Sequence, residues 1–280
     1  MASDRERNDR RGRKGGFSPN LQAARPGPRR RGPPREDPAH WLWGWHAVEA
    51  ALNNPDRPAP EQLFVTVERA KTIAALRPDL KPEVSEPTEI ARRLPSGAAP
   101  QGVALRTPPL EGVALEEIAV AGSGVILVLD QVTDPQNVGA ILRSAAAFGA
   151  RGVVMQDRHA PPLGGALAKA AAGAMERMPV ARVVNLSRAL EALADAGWTS
   201  IGLDSDAVAS LSDVVDAPAL VIVLGAEGEG LRRLVAEHCD ILAGIPMPGK
   251  FESLNVASAA AIALYAVSDR TRSGARVTGE

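Results

Sequence analysis

The sequence predicts an α/β protein in which a parallel sheet carries helices on both faces, preceded by a smaller α/β unit and a basic tail. Three observations carry this reading. From residue 125 onward, short runs of branched aliphatic residues alternate with helical apolar periodicity, the pattern of a sheet built by crossover connections. Between residues 41 and 107 a shorter alternation ends at Thr107-Pro108-Pro109, where regular structure must break. Residues 1–40 hold six prolines, five glycines and one aromatic, Phe17. Such a segment buries too little apolar surface to offset chain entropy and is expected to be disordered.

The elements follow in order. Trp41, Trp43 and Trp45 alternate with Leu42 and Gly44, so three of the nine aromatics share one face of an extended segment. They read as a staple closing a small core, with a base-stacking platform as the alternative. Ala47, Val48, Ala51 and Leu52 give a helical pattern. Strands are expected at 62–67 and 101–105 and helices at 70–76 and 87–94, which completes the unit 41–107; residues 108–124 read as a linker. Beyond it, strands are expected at 125–129, 152–155, 199–203, 220–224 and 241–245. The clearest helix, 138–148, shows an apolar stripe of Val138, Ile141, Leu142, Ala145 and Phe148 that leaves Arg143 on the opposite side. A last helix at 253–266 is rich in alanine and apolar nearly all round, so it is expected to be buried on several sides or to sit in a subunit interface.

Composition excludes several function classes. With 32 basic against 33 acidic residues, the net charge of −1 provides no global field for a polyanion. The charge is uneven, however: residues 1–40 hold 11 basic and five acidic residues, net +6, leaving 21 and 28 for the rest, net −7. The tail can therefore release counterions from phosphates through Arg11, Arg13, Lys14 and Arg29 to Arg31, or merely keep the chain soluble. The single cysteine, Cys239, permits no internal disulfide, and four scattered histidines supply no ligand spacing, so no metal site is expected. No apolar signal region or membrane span is evident, and a cytoplasmic protein is expected.

Glycines in an α/β chain suggest a nucleotide site, but the dinucleotide fingerprint fails. The stretch after the 220–224 strand spaces its glycines as G-x-x-G-x-G and places Glu227 and Glu229 where a pyrophosphate would approach. No phosphate-binding G-x-x-x-x-G-K-[ST] and no G-x-S-x-G occurs. Three clusters remain, each at the C-terminal end of an expected strand, where open α/β sheets build their sites. The first runs from Asp130 to Arg143, the second from Leu224 to Leu231, and the third from Ile245 to Ala257. Taken singly, each has a plain structural reading: Asn137 and Ser253 as helix caps, Glu227 as a solvated loop charge, Arg143 as a surface cation.

Together the three resemble, in order and spacing, the motifs of the SpoU/TrmH family of RNA ribose 2′-O-methyltransferases. The matches are N-V-G-A-I-L-R at 137–143, L-G-A-E-G-E-G-L at 224–231 and I-P-M-P-G-K-F-E-S-L-N-V-A at 245–257. Gly44-Trp45-His46-Ala47-Val48, Gln101-Gly102-Val103 and the stretch 173–180 are similar to the RlmB-like branch of 23S rRNA guanosine methyltransferases, although Ala160 and Ala171 replace serines frequent there. The resemblance implies a SPOUT catalytic domain over 125–270 with a C-terminal trefoil knot, a tail at 271–280, and an RNA-binding role for residues 41–107. It further implies a homodimer, S-adenosylmethionine as cofactor, and an RNA substrate. Leu224, Gly225, Gly228, Ile245, Met247, Ser253 and Leu254 are the expected cofactor contacts. Arg143, Asn137, Glu227, Ser253 and Asn255 are the expected catalytic set. A guanidinium ordinarily stays protonated, so clamping a phosphate suits Arg143 better than removing a proton. Ribose methylation of tRNA, or a knotted RNA binder without catalysis, are the alternatives.

Overall fold

The computed structural model describes residues 37–120, 122–249 and 253–277. Of the expected tail at 1–40, residues 1–36 lie outside the described residues, whereas 37–40 are folded, starting with Asp37. Its carboxylate accepts from Ala39 N at 3.0 Å and caps a single turn, Pro38–His40, that buries Ala39.

The first sheet takes its strands from β1 (Trp41–Trp43), β2 (Gln62–Val65), β3 (Glu83–Val84) and β4 (Val103–Arg106), in the order β1-β4-β2-β3. Helices α1 (Trp45–Asn53), α2 (Val67–Leu76) and α3 (Pro87–Arg92) connect them. Trp41 and Trp43 are 3% and 5% exposed and pack with Phe64, Ile90 and Leu94, so both are core. Trp45 departs from their face because Gly44, at φ +83°, turns the chain into α1; its ring instead lies 4.4 Å from the Arg69 guanidinium. The exposed pair Glu83-Val84 of β3 carries no alternation and gave no signal in the sequence.

The second sheet holds β5 (Gly124–Leu129), β6 (Gly152–Gln156), β7 (Val180–Val183), β8 (Thr199–Leu203), β9 (Ala209–Ser210), β10 (Ala219–Leu224) and β11 (Ile241–Gly244). Their order is β7-β6-β5-β10-β8-β11-β9, and every pairing is parallel. All five expected strands are present; β11 stops one residue short, which frees Ile245. Helices α4 (Leu115–Ile118), α5 (Pro135–Ala147), α6 (Gly165–Ala171), α7 (Leu186–Asp195), α8 (Leu211–Val214), α9 (Arg233–Glu237) and α10 (Val256–Val277) cover it. Alternation along β10 shows the two faces. Leu220, Ile222 and Leu224 join the cluster containing Ile141, Leu167 and Leu264, whereas Ala219, Val221 and Val223 join Leu190, Trp198 and Val235.

Three details correct the sequence reading. The stretch 108–124 is not bare linker: Val113 bridges to Ala181, Ile118 is buried, and Trp198 Nε1 donates to Ala119 O at 3.1 Å. Phe148 leaves the buried stripe of α5 and stands 37% exposed, edge-on to Tyr265 at 6.3 Å between ring centroids. The last helix starts at Val256 and buries one face, Val256, Ala260, Ala263 and Leu264, while Ile262 and Tyr265 point outward.

The two sheets share a continuous apolar cluster running from Leu42, Val48 and Leu105 to Leu142, Leu167 and Met175. A buried ion pair fastens them. Arg57, in the loop after α1, donates from Nε and Nη2 to the Glu176 carboxylate at 2.9 and 2.8 Å. Asn54 Nδ2 donates to the same carboxylate at 2.9 Å, and Arg57 Nη1 donates to Pro108 O at 2.7 Å. Both charged side chains are almost wholly buried, at 2% and 3% exposure.

Candidate functional site

The chain adds β6 and β7 on one side of β5 and the remaining strands on the other, so the strand order reverses beside β5 and β10. Loops leaving the C-terminal ends of such strands form a crevice. The four loops here begin at Asp130, Asp204, Gly225 and Ile245. Asp130, fully buried, anchors the loop after β10: it accepts from Arg232 N at 2.9 Å and from Arg232 Nε at 2.7 Å, and Arg232 Nη2 continues to Gln156 Oε1 at 3.1 Å.

Two motif glycines have steric reasons. A Cβ on Gly139 would lie 2.4 Å from Ala170 Cβ and 2.9 Å from Ala171 N, so only glycine lets α5 approach α6 this closely. A Cβ on Gly225 would lie 2.1 Å from the Gly230 carbonyl carbon; the loop is folded back on itself there.

Three of the expected catalytic residues meet on the crevice rim. Asn255 Nδ2 donates to Asn137 Oδ1 at 3.0 Å and also to Glu227 Oε1, and Asn137 Nδ2 donates to the same Glu227 oxygen at 3.3 Å. Each comes from a different motif. The capping readings fall elsewhere than expected. Asp134, not Asn137, caps α5 by accepting from Gln136 N at 3.1 Å. Asn255, not Ser253, caps α10 by accepting at Oδ1 from Ala257 N at 3.0 Å and Ser258 N at 3.4 Å. Asn255 thus uses its carbonyl on the helix and its amide on the cluster, which fixes its orientation.

Beside this cluster lies a cavity of about 360 Å³. All seven residues expected to contact a cofactor line it: Leu224, Gly225, Gly228, Ile245, Met247, Ser253 and Leu254. Asp204 and Ser205, at the end of β8, line it too and were missed, although their place directly after an expected strand was the available signal. Among the described residues no lysine or arginine lines it, and Asp204 and Glu227 give it acidic character. Arg143 does not join this set. It is exposed on α5 and faces a separate cleft of about 860 Å³ shared with His46, Asn53 and Arg177, between the first sheet's α1 and the second sheet's helices.

Two further titratable groups stand away from the rim. Burial pushes the Cys239 thiol up to about 12, with Asp240 and Asp130 adding to the effect, so the thiol is neutral and unreactive at neutral pH. Burial lowers Lys169, whose ammonium packs against Gly44. Among the described residues no group of His, Cys, Asp or Glu side chains is placed to hold a metal ion, and no helix is long and apolar enough to cross a membrane.

Comparison with known proteins identifies the family. Residues 124–265 match the SpoU rRNA Methylase family. A tRNA/rRNA methyltransferase of Mycolicibacterium vanbaalenii is 40% identical over 186 residues, which is 65% of this chain and 59% of that protein, so the chain spans well under two thirds of this relative's length. Among solved structures, the SpoU methyltransferase AviRb from Streptomyces viridochromogenes in complex with AdoMet superposes with a TM-score of 0.69 at 24% identity, covering 86% of this chain and 91% of that one. An RNA 2′-O ribose methyltransferase superposes with a TM-score of 0.67 at 27% identity, covering 83% and 88%. The family match covers more than half of the chain and includes all three motifs, from Asn137 to Ala257; the chain belongs to the SpoU methylase family.

Proposed function

We propose that this protein transfers a methyl group from S-adenosylmethionine to a ribose 2′-hydroxyl of RNA, with a guanosine of 23S rRNA, as in the RlmB-like branch, as the target. The observation that carries the reading is the Asn137–Glu227–Asn255 cluster on the rim of an acidic, partly apolar cavity. That cavity, at about 360 Å³, lies in the usual range for small-molecule sites of roughly 300–1,000 Å³. The residues present fit a sulfonium cofactor. Leu224, Ile245, Met247 and Leu254 offer apolar contact for adenine and the methionine chain, and Glu227 and Asp204 face a positive sulfur with no lysine or arginine among the described lining residues.

When bound, the cofactor supplies an electrophilic methyl group. The protein's task is then positioning, because an in-line displacement needs the hydroxyl oxygen held opposite the sulfur. Asn137 and Asn255 hold each other and Glu227, so the rim presents fixed amide groups to a ribose. Ser253 lines the cavity beside Glu227 and completes its wall. Arg143 lies apart from this rim, which suits a phosphate clamp on the adjoining RNA better than a role at the reacting oxygen. Residues 41–107 and the basic tail extend the RNA surface, with residues 125–270 as the SPOUT catalytic domain. A C-terminal trefoil knot, as the family resemblance implies, would hold the cavity walls together. The cytoplasm, where ribosomal RNA is modified, is the proposed location.

The reading is tested by titrating the full chain calorimetrically with S-adenosylmethionine and by following labelled methyl transfer to unmodified 23S rRNA and tRNA transcripts. Binding with label in an alkali-stable dinucleotide of 23S rRNA is expected. Absence of cofactor binding, or label on a base, would overturn it, and label in tRNA alone would move the substrate assignment.

We further propose a homodimer built on α5 and α10. Phe148, Ile262 and Tyr265 form an exposed apolar patch at 37%, 41% and 58% exposure, beside a helix whose other face is already used. Sedimentation equilibrium should give a dimer at micromolar concentration and a monomer for Ile262→Glu combined with Tyr265→Glu. A wild-type monomer would refute it.

A further inference from the structure

The loop 225–230 is a partition with a cavity on each side. Ala226 N donates to Gly230 O at 3.1 Å and Gly230 N donates back to Ala226 O at 3.0 Å, so the loop is closed into a narrow hairpin. One side lines the 360 Å³ cavity already described; on the other lies a second cavity of about 240 Å³ at the C-terminal ends of β5 and β6. Ala226 belongs to both walls. Leu129 and Met155 give the second cavity an apolar floor, and Gln131, Arg158, His159 and Glu229 stand around it.

Two features of these residues are not explained by packing. Four non-glycine residues among those described have positive φ, and two of them, Gln131 at 58° and His159 at 73°, line this one small cavity. Left-handed backbone is unfavourable for such residues, and its concentration at one place is a mark of ligand sites. Moreover, the side chains of Gln131, Arg158, His159 and Glu229 are exposed and form no hydrogen bond or ion pair among the described residues, so they are free to meet a ligand, while neighbouring Gln156 is engaged with Arg232 and Val184 O.

The geometry points to this cavity as the seat of the base of the nucleotide to be methylated, an inference that rests on the RNA methyl-transfer reading above. At about 240 Å³ it falls below the range for whole small-molecule ligands and suits a base alone, leaving ribose and phosphate outside. The ribose of a nucleotide so placed lies over the hairpin tip, where Glu227 meets Asn137 and Asn255, and its 2′-hydroxyl faces the cofactor cavity across the partition. The Glu229 carboxylate repels phosphate from the interior and accepts hydrogen bonds from an exocyclic amino group, so the site favours adenine, cytosine or guanine over uracil. Gln131 offers both a donor and an acceptor to a base edge, and Arg158, exposed at the mouth, meets the backbone phosphate.

The test uses the full chain and the four ribonucleoside 5′-monophosphates as probes, with saturation-transfer NMR reading contact to base protons. Transfer is expected for at least one of AMP, CMP and GMP and to be weaker for UMP. Glu229→Gln should weaken the best of them about tenfold, as expected for the loss of one charge-assisted hydrogen bond. Gln131→Ala should lower its signal as well, and neither variant should change affinity for S-adenosylmethionine or the melting temperature. Equal transfer from all four nucleotides, or a response insensitive to both variants, overturns the inference. The arms separate the two readings. Wild-type protein that binds the cofactor and methylates RNA, with base contact indifferent to Gln131 and Glu229, removes only the base site. Wild-type protein that binds no cofactor removes the methyl-transfer reading, and the base site falls with it.

Discussion

Glu176→Ala is expected to lower the stability of the fold by about 3–5 kcal/mol, the usual consequence of stranding one member of a buried ion pair. The Arg57 guanidinium is 2% exposed and directs two donors at Glu176, with a third bond to Pro108 O, so it has no route to water when the carboxylate is removed. Asn54 Nδ2 loses its acceptor at the same time. Glu176→Gln retains acceptor capacity but not the charge and should fall between the two. Replacing both partners together, Arg57→Met with Glu176→Leu, should recover much of the loss, because a well-packed apolar pair avoids the desolvation of two charges. Equilibrium urea unfolding of wild type and the three variants measures these differences. A loss below about 1 kcal/mol for Glu176→Ala, the range of exposed pairs, would show that Arg57 finds water or another partner and that the pair does not fasten the two sheets.

This latch also marks where the sequence stops being informative. Glu176 sits in a stretch whose similarity to relatives was visible, yet nothing in its neighbours signals that the partner is Arg57, separated by 119 residues. Long-range polar pairing leaves no periodicity. Apolar patterning, by contrast, was legible wherever an element buries a regular face: all five strands read from aliphatic runs are present in the parallel sheet, and Val138, Ile141, Leu142 and Ala145 line the inner side of α5. Reading failed where burial and period separate. Phe148 continues the helical spacing but follows the last turn, so it projects outward. Ile118 is a single buried anchor in a polar stretch and makes no pattern. The site shows the same division. Motif residues that fold into loops around one crevice came together as a cavity lining, whereas the left-handed backbone at Gln131 and His159 has no glycine to announce it.

Arg143→Ala is expected to reduce methyl transfer by at least 10²-fold while leaving cofactor affinity unchanged. A phosphate clamp acts by positioning, and a misplacement of about 1 Å caused by a change away from the reacting atoms can lower the rate about 10²-fold. The variant should be structurally quiet. Arg143 is exposed, its neighbours Ile141 and Leu142 supply the buried contacts of α5, and surface substitutions of this kind usually change stability by no more than about 0.5 kcal/mol. It also lies outside the cavity lined by Leu224, Met247 and Leu254, so binding of S-adenosylmethionine has no reason to move. Asn255→Ala makes the contrasting case. Its carbonyl caps α10 and its amide joins Asn137 and Glu227, so truncation removes a cap, at about 1 kcal/mol, and loosens the rim together with the cavity beside it. Calorimetric titration with S-adenosylmethionine and single-turnover transfer to RNA should therefore separate the two variants: unchanged binding with lost transfer for Arg143→Ala, both weakened for Asn255→Ala. Near wild-type transfer by Arg143→Ala would mean that the cleft shared with His46, Asn53 and Arg177 is no part of the substrate path, and that all contacts needed for reaction are made at the Asn137–Glu227–Asn255 rim.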